Sequence, residues 1–365
     1  MRALLATAGL LVLAGAGAAA AAPPTGHILR KSPNGPIEAI AQDGSSVAWL
    51  TSGTKTCDAV HVLATGKPDR TLPQPSSGSM TCRWDLTDGV PQLALAAGAS
   101  AALWTLHDSG PAPFDNVVAA SIGGPEKQIQ RLAHAGDGTG LWLGGVAGAG
   151  KTLAYSWDDV EYIDKLACLS GGSCKMKIED GGIKLVSVSR ATVTPLPKAQ
   201  PALQLAVAAG RIAYIPATTV KAGRPSPSAN NMIYLVDATT GNVIGHPLVH
   251  GIPAAIALSQ HVLAVLTQRG PHDRISWFST TDASKLGSVL VSERAVPTEL
   301  AASDQLIAYR VGRTLYGVST ATGRIRVLTN TGLNYLGLSL RNGLLVWAEN
   351  NATGTGGKLR VVATS

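Results

Sequence analysis

The chain has 365 residues, with 30 Lys and Arg against 23 Asp and Glu, a formal net charge of +7. The cations are spread thinly, with no basic run and no Arg/Lys stripe interleaved with aromatics, so the electrostatic footprint of a nucleic-acid binder is missing. With 45% apolar and 15% charged residues, the chain has ample material for a large core and does not read as disordered.

It opens MRALLATAGLLVLAGAGAAAAAPPTG: one cation, Arg2, then small and apolar residues ending in an alanine run and Pro23-Pro24. This reads as a secretory signal over 1–22 with a small-residue cleavage site near Ala22. The stretch approaches the length of a membrane anchor, but its Ala/Gly-rich second half is weakly apolar and favours cleavage. The expected product, 23–365, is a single exported domain, extracellular, periplasmic or cell-wall associated, touching a membrane only through the transient signal. An even count of cysteines in an exported chain predicts two disulfides, and proximity pairs Cys57 with Cys82 and Cys168 with Cys174. No C-x2-C pair and no histidine at finger spacing occurs, so no metal is expected.

Seven segments then repeat one pattern: an Ala-rich apolar strand, a tight turn, and a strand centred on an aromatic. They begin at Ile37, Pro91, Leu141, Pro201, Pro253, Pro297 and Asn334, as in PALQLAVAAGRIAYI and NYLGLSLRNGLLVWAE. The recurring position is Trp49, Trp104, Tyr155, Tyr214, Ala264, Tyr309 and Trp347. Each unit continues into a second hairpin, clearest in MIYLVDATTGNVIGHPL from Met232 and TLYGVSTATGRIRVL from Thr314. Period-two alternation with Gly, Asn and Asp punctuation is strand-and-hairpin language; the one helical candidate runs from Asp158 to Leu166. Seven four-stranded units imply an all-β, seven-bladed β-propeller of antiparallel blades. The expected blades are 36–86, 87–134, 138–198, 200–249, 252–292, 296–329 and 333–365, the last completed by 27–31. The final unit lacks a fourth strand, and GHILRKSPNGP from Gly26 resembles the fourth-strand segment GHPLVHGIPAA from Gly245. Ile28 to Arg30 are therefore expected to pair with Leu359 to Ala363.

One stretch, GGVAGAGKTLAYSWD from Gly144, contains the phosphate-loop pattern Gly145-x4-Gly150-Lys151-Thr152. Such a loop needs a helix starting at the lysine to aim backbone N–H groups at the phosphates. The alternating, aromatic residues after Lys151 predict a strand, so the match is read as a hairpin turn and no nucleotide is expected. His246 and His250 are separated by Pro247 and on a strand stand ~13 Å apart, too far to share a metal. Asp158, Asp159, Glu161 and Asp164 lack calcium-loop spacing and read as a solvated acidic loop. Ser52-x-x-Lys55 lacks the companion motifs of acyl-transfer enzymes, and Asn351-Ala352-Thr353 is a formal glycosylation sequon. Within the Ala/Gly/Leu inner strands only Glu38, Gln204 and Glu299 are polar and sizeable. Catalysis on this scaffold needs converging acids, bases or metal ligands, and no catalytic residue is assigned.

The C-terminal hairpins, VDATTGNVIG above all, resemble the repeats of bacterial YVTN-type propellers and of quinoprotein-dehydrogenase propellers, which share a D-x-x-T-G turn. The resemblance implies the fold. Quinoprotein repeats carry a tryptophan a few residues after that glycine; here Gly241 is followed by Asn-Val-Ile-Gly-His and Gly323 by Arg-Ile-Arg-Val, so no cofactor is expected.

The long loops, starting at His107, Asp158, Pro216, Gln268 and Glu349, all join second to third strands and would decorate one face. The expected function is a secreted, non-catalytic scaffold that binds a protein or cell-envelope polymer through that face. Its candidate residues are His107, Asp108, Asp158, Asp159, His250, His272, Asp273 and Arg274. The alternative is a lyase or hydrolase acting on an envelope polymer, peptide or small molecule. That reading requires convergence of His107, Asp108, His250, His272, Asp273 and Arg274 at the channel mouth.

Overall fold

Short apolar runs broken by tight turns leave this chain no way to bury itself except as successive antiparallel meanders. The computed structural model describes residues 26–32, 35–52, 59–64, 68–71, 91–96, 100–108, 113–121, 124–135, 137–166, 175–221, 224–227, 232–291, 294–296 and 299–364. Strand β1 (His27–Ser32) is followed by blade 1, formed by β2 (Ile37–Asp43), β3 (Ser46–Thr51), β4 (Ala59–Leu63) and β5 (Arg70–Thr71). Blade 2 comprises β6 (Leu93–Ala96), β7 (Ala101–Asp108), β8 (Phe114–Ser121) and β9 (Lys127–Ala133). Blade 3 is β10 (Gly140–Ala149), β11 (Thr152–Tyr162), β12 (Met176–Ser187) and β13 (Thr192–Pro195). In blade 4, β14 (Ala202–Ala208) pairs with β15 (Arg211–Lys221), whose far end folds back on β16 (Arg224–Pro227) before β17 (Tyr234–Asp237) and β18 (Val243–Gly245) complete the sheet. Blade 5 runs β19 (Ile252–Leu258), β20 (Val262–Arg269), β21 (His272–Ser279) and β22 (Lys285–Val291). Blade 6 is β23 (Leu300–Ala302), β24 (Leu306–Val311), β25 (Thr314–Ser319) and β26 (Ile325–Asn330). Blade 7 takes β27 (Asn334–Arg341), β28 (Leu344–Asn350) and β29 (Gly357–Ala363) from the end of the chain, and β1 as its outermost strand.

The first strands of the blades pack side by side in a closed ring, β2 touching both β6 and β27. Their side chains are small because seven strands converge on one axis. Seven apolar clusters fill the structure, one at each junction between neighbouring blades. The recurring aromatic position lies on the second strand of every blade and is buried in all seven. In blade 5, where that position is Ala264, its cross-strand partner is Trp277, so the ring moves across the ladder and the volume is kept.

The ring closes by two sets of contacts. Ile28 stands opposite Arg360 and Arg30 opposite Leu359 in the antiparallel β1–β29 ladder. Asn350 spans the junction between blades 7 and 1, accepting from the Ile37 N–H and donating to the Ile37 carbonyl, each at 2.8 Å.

Three sequence-based expectations are corrected. Asp158 to Leu166 is not a helix: Asp158 to Tyr162 continue β11, and only Lys165 and Leu166 are helical. Cross-strand pairing with β10 and β12 outweighs the local acidic spacing. Asp158 consequently sits in no solvated loop but is fully buried. The stretch from Gln268 is also no long loop, since β20 and β21 pair up to Arg269–His272 around a two-residue turn. All four cysteines, and hence both expected disulfides, lie outside the described residues.

Candidate binding site

The first strand of each blade runs along the axis, and the turns joining first to second strands gather around one mouth of the channel. Gly150 and Lys151 form such a turn between β10 and β11, so the phosphate-loop pattern occupies a β-hairpin. Another is Asn342–Gly343, with φ of 49° and 71°, the doubly left-handed pair that suits a two-residue hairpin. It holds Arg341, the last residue of β27, at the channel wall. From there the guanidinium crosses the channel, donating from Nη1 to the Leu258 carbonyl at 2.7 Å and from Nη2 to the Val207 carbonyl at 3.3 Å. Blades 4, 5 and 7 are thus tied across the axis by one side chain. Burial lowers the Arg341 pKa, opposed by the charges of Asp43 and Asp304.

Arg341 lines two spaces. On one side is a narrow axial pocket of 180 Å³ walled by inner-strand residues such as Ala41, Leu95, Ala257 and Ala301. On the other is an open cavity of 1210 Å³ at the mouth, ample for a ligand or a polymer end. Arg324, Arg326, Arg341, Asp43 and Asp304 are its charged lining. Asp43 directs one carboxylate oxygen to the Gly150 N–H at 2.9 Å. Asp304 accepts from the His261 N–H at 2.8 Å and the Ser259 hydroxyl at 2.7 Å. Both carboxylates therefore serve the hairpins beside them, while Arg324 and Arg326 are exposed. This mouth lies on the face opposite the second-to-third-strand loops. The repeats contain part of this signal: Asp43 and Arg341 end first strands where units 3 to 6 carry Ala149, Ala208, Ser259 and Ser303. Glu38, Gln204 and Glu299 are therefore not the whole polar content of those strands, and Asp304 lies one place later, in the turn.

The residues expected on the loop-bearing face come from separate blades, with Asp108 ending β7 of blade 2. His107 belongs to blade 2, Asp158 and Asp159 to blade 3, and His272, Asp273 and Arg274 to blade 5, with exposed His250 in the connection before it. Asp273, expected at the surface, is fully buried, and its Oδ2 accepts from the Ala295 N–H at 2.8 Å. Arg274 donates to the Ser288 hydroxyl at 3.1 Å. Of the inner-strand polar residues, Glu38 accepts from the Ser52 hydroxyl at 2.7 Å and Gln204 donates to the Ala254 carbonyl at 2.9 Å. Glu299 is buried beside Arg310, and that burial raises its pKa.

Among the described side chains, His107 is the candidate that falls in a cluster of metal-ligating groups. Its Nδ1 is 2.8 Å from Oδ1 of its cross-strand partner Asp115. His134, just beyond β9, stacks on Trp142 of β10 with ring centroids 4.1 Å apart and lies 5.9 Å from the His107 ring. The Trp142 indole is itself anchored by donating to the Gly138 carbonyl at 3.0 Å. Burial lowers the His134 pKa, opposed by the Asp115 charge. Asp115 and His134 carry no motif spacing, which is why the sequence does not single them out.

No protein-family model matches this chain, and no curated protein matches it in sequence. Among solved structures, the β-propeller domain of the trilobed protease from Pyrococcus furiosus is similar, with a TM-score of 0.53 at 9% identity, covering 91% of this chain and 98% of that one. Saccharomyces cerevisiae Sqt1 gives a TM-score of 0.46 at 12% identity, covering 93% of this chain and 100% of that one. At such identities the Pyrococcus likeness is one of fold alone. That propeller has an open velcro topology, whereas here β1 pairs with β29.

Proposed function

We propose that this chain is an exported, non-catalytic scaffold that binds the anionic end or segment of a cell-envelope polymer in its axial cavity. The observation that carries the reading is the 1210 Å³ mouth lined by Arg324, Arg326 and Arg341. Planar guanidinium groups pair bidentately with carboxylate or phosphate oxygens. Arg341 is preorganised by its bonds across the channel, and Arg324 and Arg326 are exposed at the rim, Arg326 donating from Nη2 to the Thr364 carbonyl. The leader-like 1–22 and the net charge of +7 suit a surface rich in polyanions. The loop-bearing face, by contrast, scatters its candidates over blades 2, 3 and 5.

The test is equilibrium binding of poly-L-glutamate and polyphosphate to the full chain, followed by fluorescence anisotropy at several salt concentrations. Reversing both rim charges, Arg324→Glu with Arg326→Glu, should weaken binding about 10-fold or more and flatten its salt dependence. Unchanged binding by the doubly reversed protein would remove the cavity from the account.

A further inference from the structure

We infer that His107, Asp115 and His134 form a binding site for a divalent transition ion of the zinc class, on the face opposite the axial cavity. One donor atom from each residue can be chosen such that all three lie within 4.8 Å of one another. Two imidazoles and one carboxylate are ligands that Zn²⁺ and its first-row neighbours accept, whereas calcium and magnesium take oxygen almost alone. His107 Nδ1 and Asp115 Oδ1 are already hydrogen-bonded at 2.8 Å, so parting them by roughly half an ångström to the ~3.4 Å edge of a tetrahedron with bonds of about 2.1 Å would admit an ion between them. Among the described residues, His134 Nε2 is buried with no hydrogen-bond partner, a state that leaves a ring nitrogen desolvated for nothing unless something else takes its lone pair. The His134 side chain is the least adjustable of the three, clamped by Trp142 and by its backbone N–H, which donates to the Pro113 carbonyl at 3.1 Å.

The framework is built rather than accidental in its support. His107 and Asp115 face each other across the β7–β8 ladder, and His134 makes a β-bridge with Gly140. Two strands of blade 2 and the entry to blade 3 therefore fix the three side chains. The His107 and Asp115 side chains keep 27% and 13% of their surface in solvent, so an ion has a way in and three protein ligands leave room for water. Such an open position distinguishes a reactive or ligand-accepting site from a closed structural one.

The site is tested on the full chain, stripped with chelator and with its thiols alkylated so that cysteines cannot compete. Zn²⁺ is titrated against a chromophoric chelator, and Co²⁺ is added separately to read its visible absorption. The inference expects one ion per chain and a Co²⁺ spectrum of four- or five-coordinate type. Asp115→Asn and His107→Ala should each weaken Zn²⁺ binding by at least about 100-fold, a change no smaller than that for loss of a mere supporting contact. His134→Ala should do the same, with thermal melts confirming that Asp115→Asn still folds if His134→Ala does not. His246→Ala with His250→Ala should leave the affinity unchanged. A six-coordinate, water-like Co²⁺ spectrum, or Zn²⁺ binding that survives Asp115→Asn and His107→Ala but falls in the His246/His250 variant, overturns the site.

Discussion

Blade 7 and blade 3 each bury a carboxylate on the second strand, and the two are treated oppositely. Glu349 in blade 7 accepts from the Trp347 indole at 3.0 Å, the Gly332 N–H at 2.8 Å and Arg360 Nε at 2.7 Å. Arg360 in turn donates to the Gly26 carbonyl at 2.7 Å, so the acid anchors the strand that closes the ring. Asp158 in blade 3, between Trp142 of β10 and Gly181 of β12, is fully buried with both oxygens unpartnered among the described residues. Blade 3 is a continuous stretch of chain whose strands are joined by their own connections. Blade 7 joins two segments more than 300 residues apart, with only non-covalent contacts to hold β1. A polar network is concentrated where covalent connection is missing, and a bare charge is tolerated where it is not.

The sharpest break in this contrast is at Gly26. A side chain there would run into the Trp347 ring, its Cβ overlapping Cη2 and Cζ2. Gly26→Leu must therefore displace either β1 or Trp347, beyond the ~1–3 kcal/mol of ordinary overpacking. We expect calorimetry to show a broadened, much earlier transition, while Gly44→Leu, which meets only the Asn342 side chain but carries the left-handed strain of a φ of 60°, about 1–2 kcal/mol, lowers the transition modestly and leaves closure intact.

Asp158 gives the next largest effect, and it depends on pH. Burial raises its pKa from 3.8 to about 7, so between those values the folded chain holds a proton that the unfolded chain has lost. Stability contributed by this group therefore falls as pH rises from about 4 to about 7, by up to about 4 kcal/mol. Denaturant unfolding of Asp158→Asn should lose that slope and show its gain at pH 8 rather than at pH 4. For Glu349 the sign is reversed. Burial works to raise its pKa, but the bonds from Trp347, Gly332 and Arg360 and the Arg360 charge outweigh it and hold the group below its ordinary value. Its contribution is present at neutral pH and is lost as pH falls below the ordinary glutamate range. Glu349→Gln should cost about 2 kcal/mol at pH 7 and little at pH 3, measured by the same denaturant curves.

The fold was legible because its repeat is steric. Seven small-residue strands followed by a buried aromatic must sit around an axis, and even the exception, Ala264, is compensated by Trp277 in the opposite strand. The turn at Gly150 and Lys151 was legible because alternation continues from Thr152. What the sequence concealed were contacts between distant turns. The lining of the mouth joins Asp43, Asp304 and Arg341 from blades 1, 6 and 7, each at a hairpin turn where a charge reads as ordinary turn chemistry. His134 meets His107 only because β9 returns beside the β7–β8 end. Asp158 looked solvated because its neighbours Asp159 and Glu161 point the other way along the same strand, and period two cannot say which face is the interior.

The most direct test of ring closure is native-state hydrogen exchange resolved at single amides. If the N-terminal strand is a working part of blade 7, the ladder amides of 27–32 and 357–363 should exchange with one shared free energy, at the level of global unfolding. Rapid exchange across 27–32 while the blade 5 ladder stays protected would show a ring that stands without its first strand, and the account of closure would be wrong.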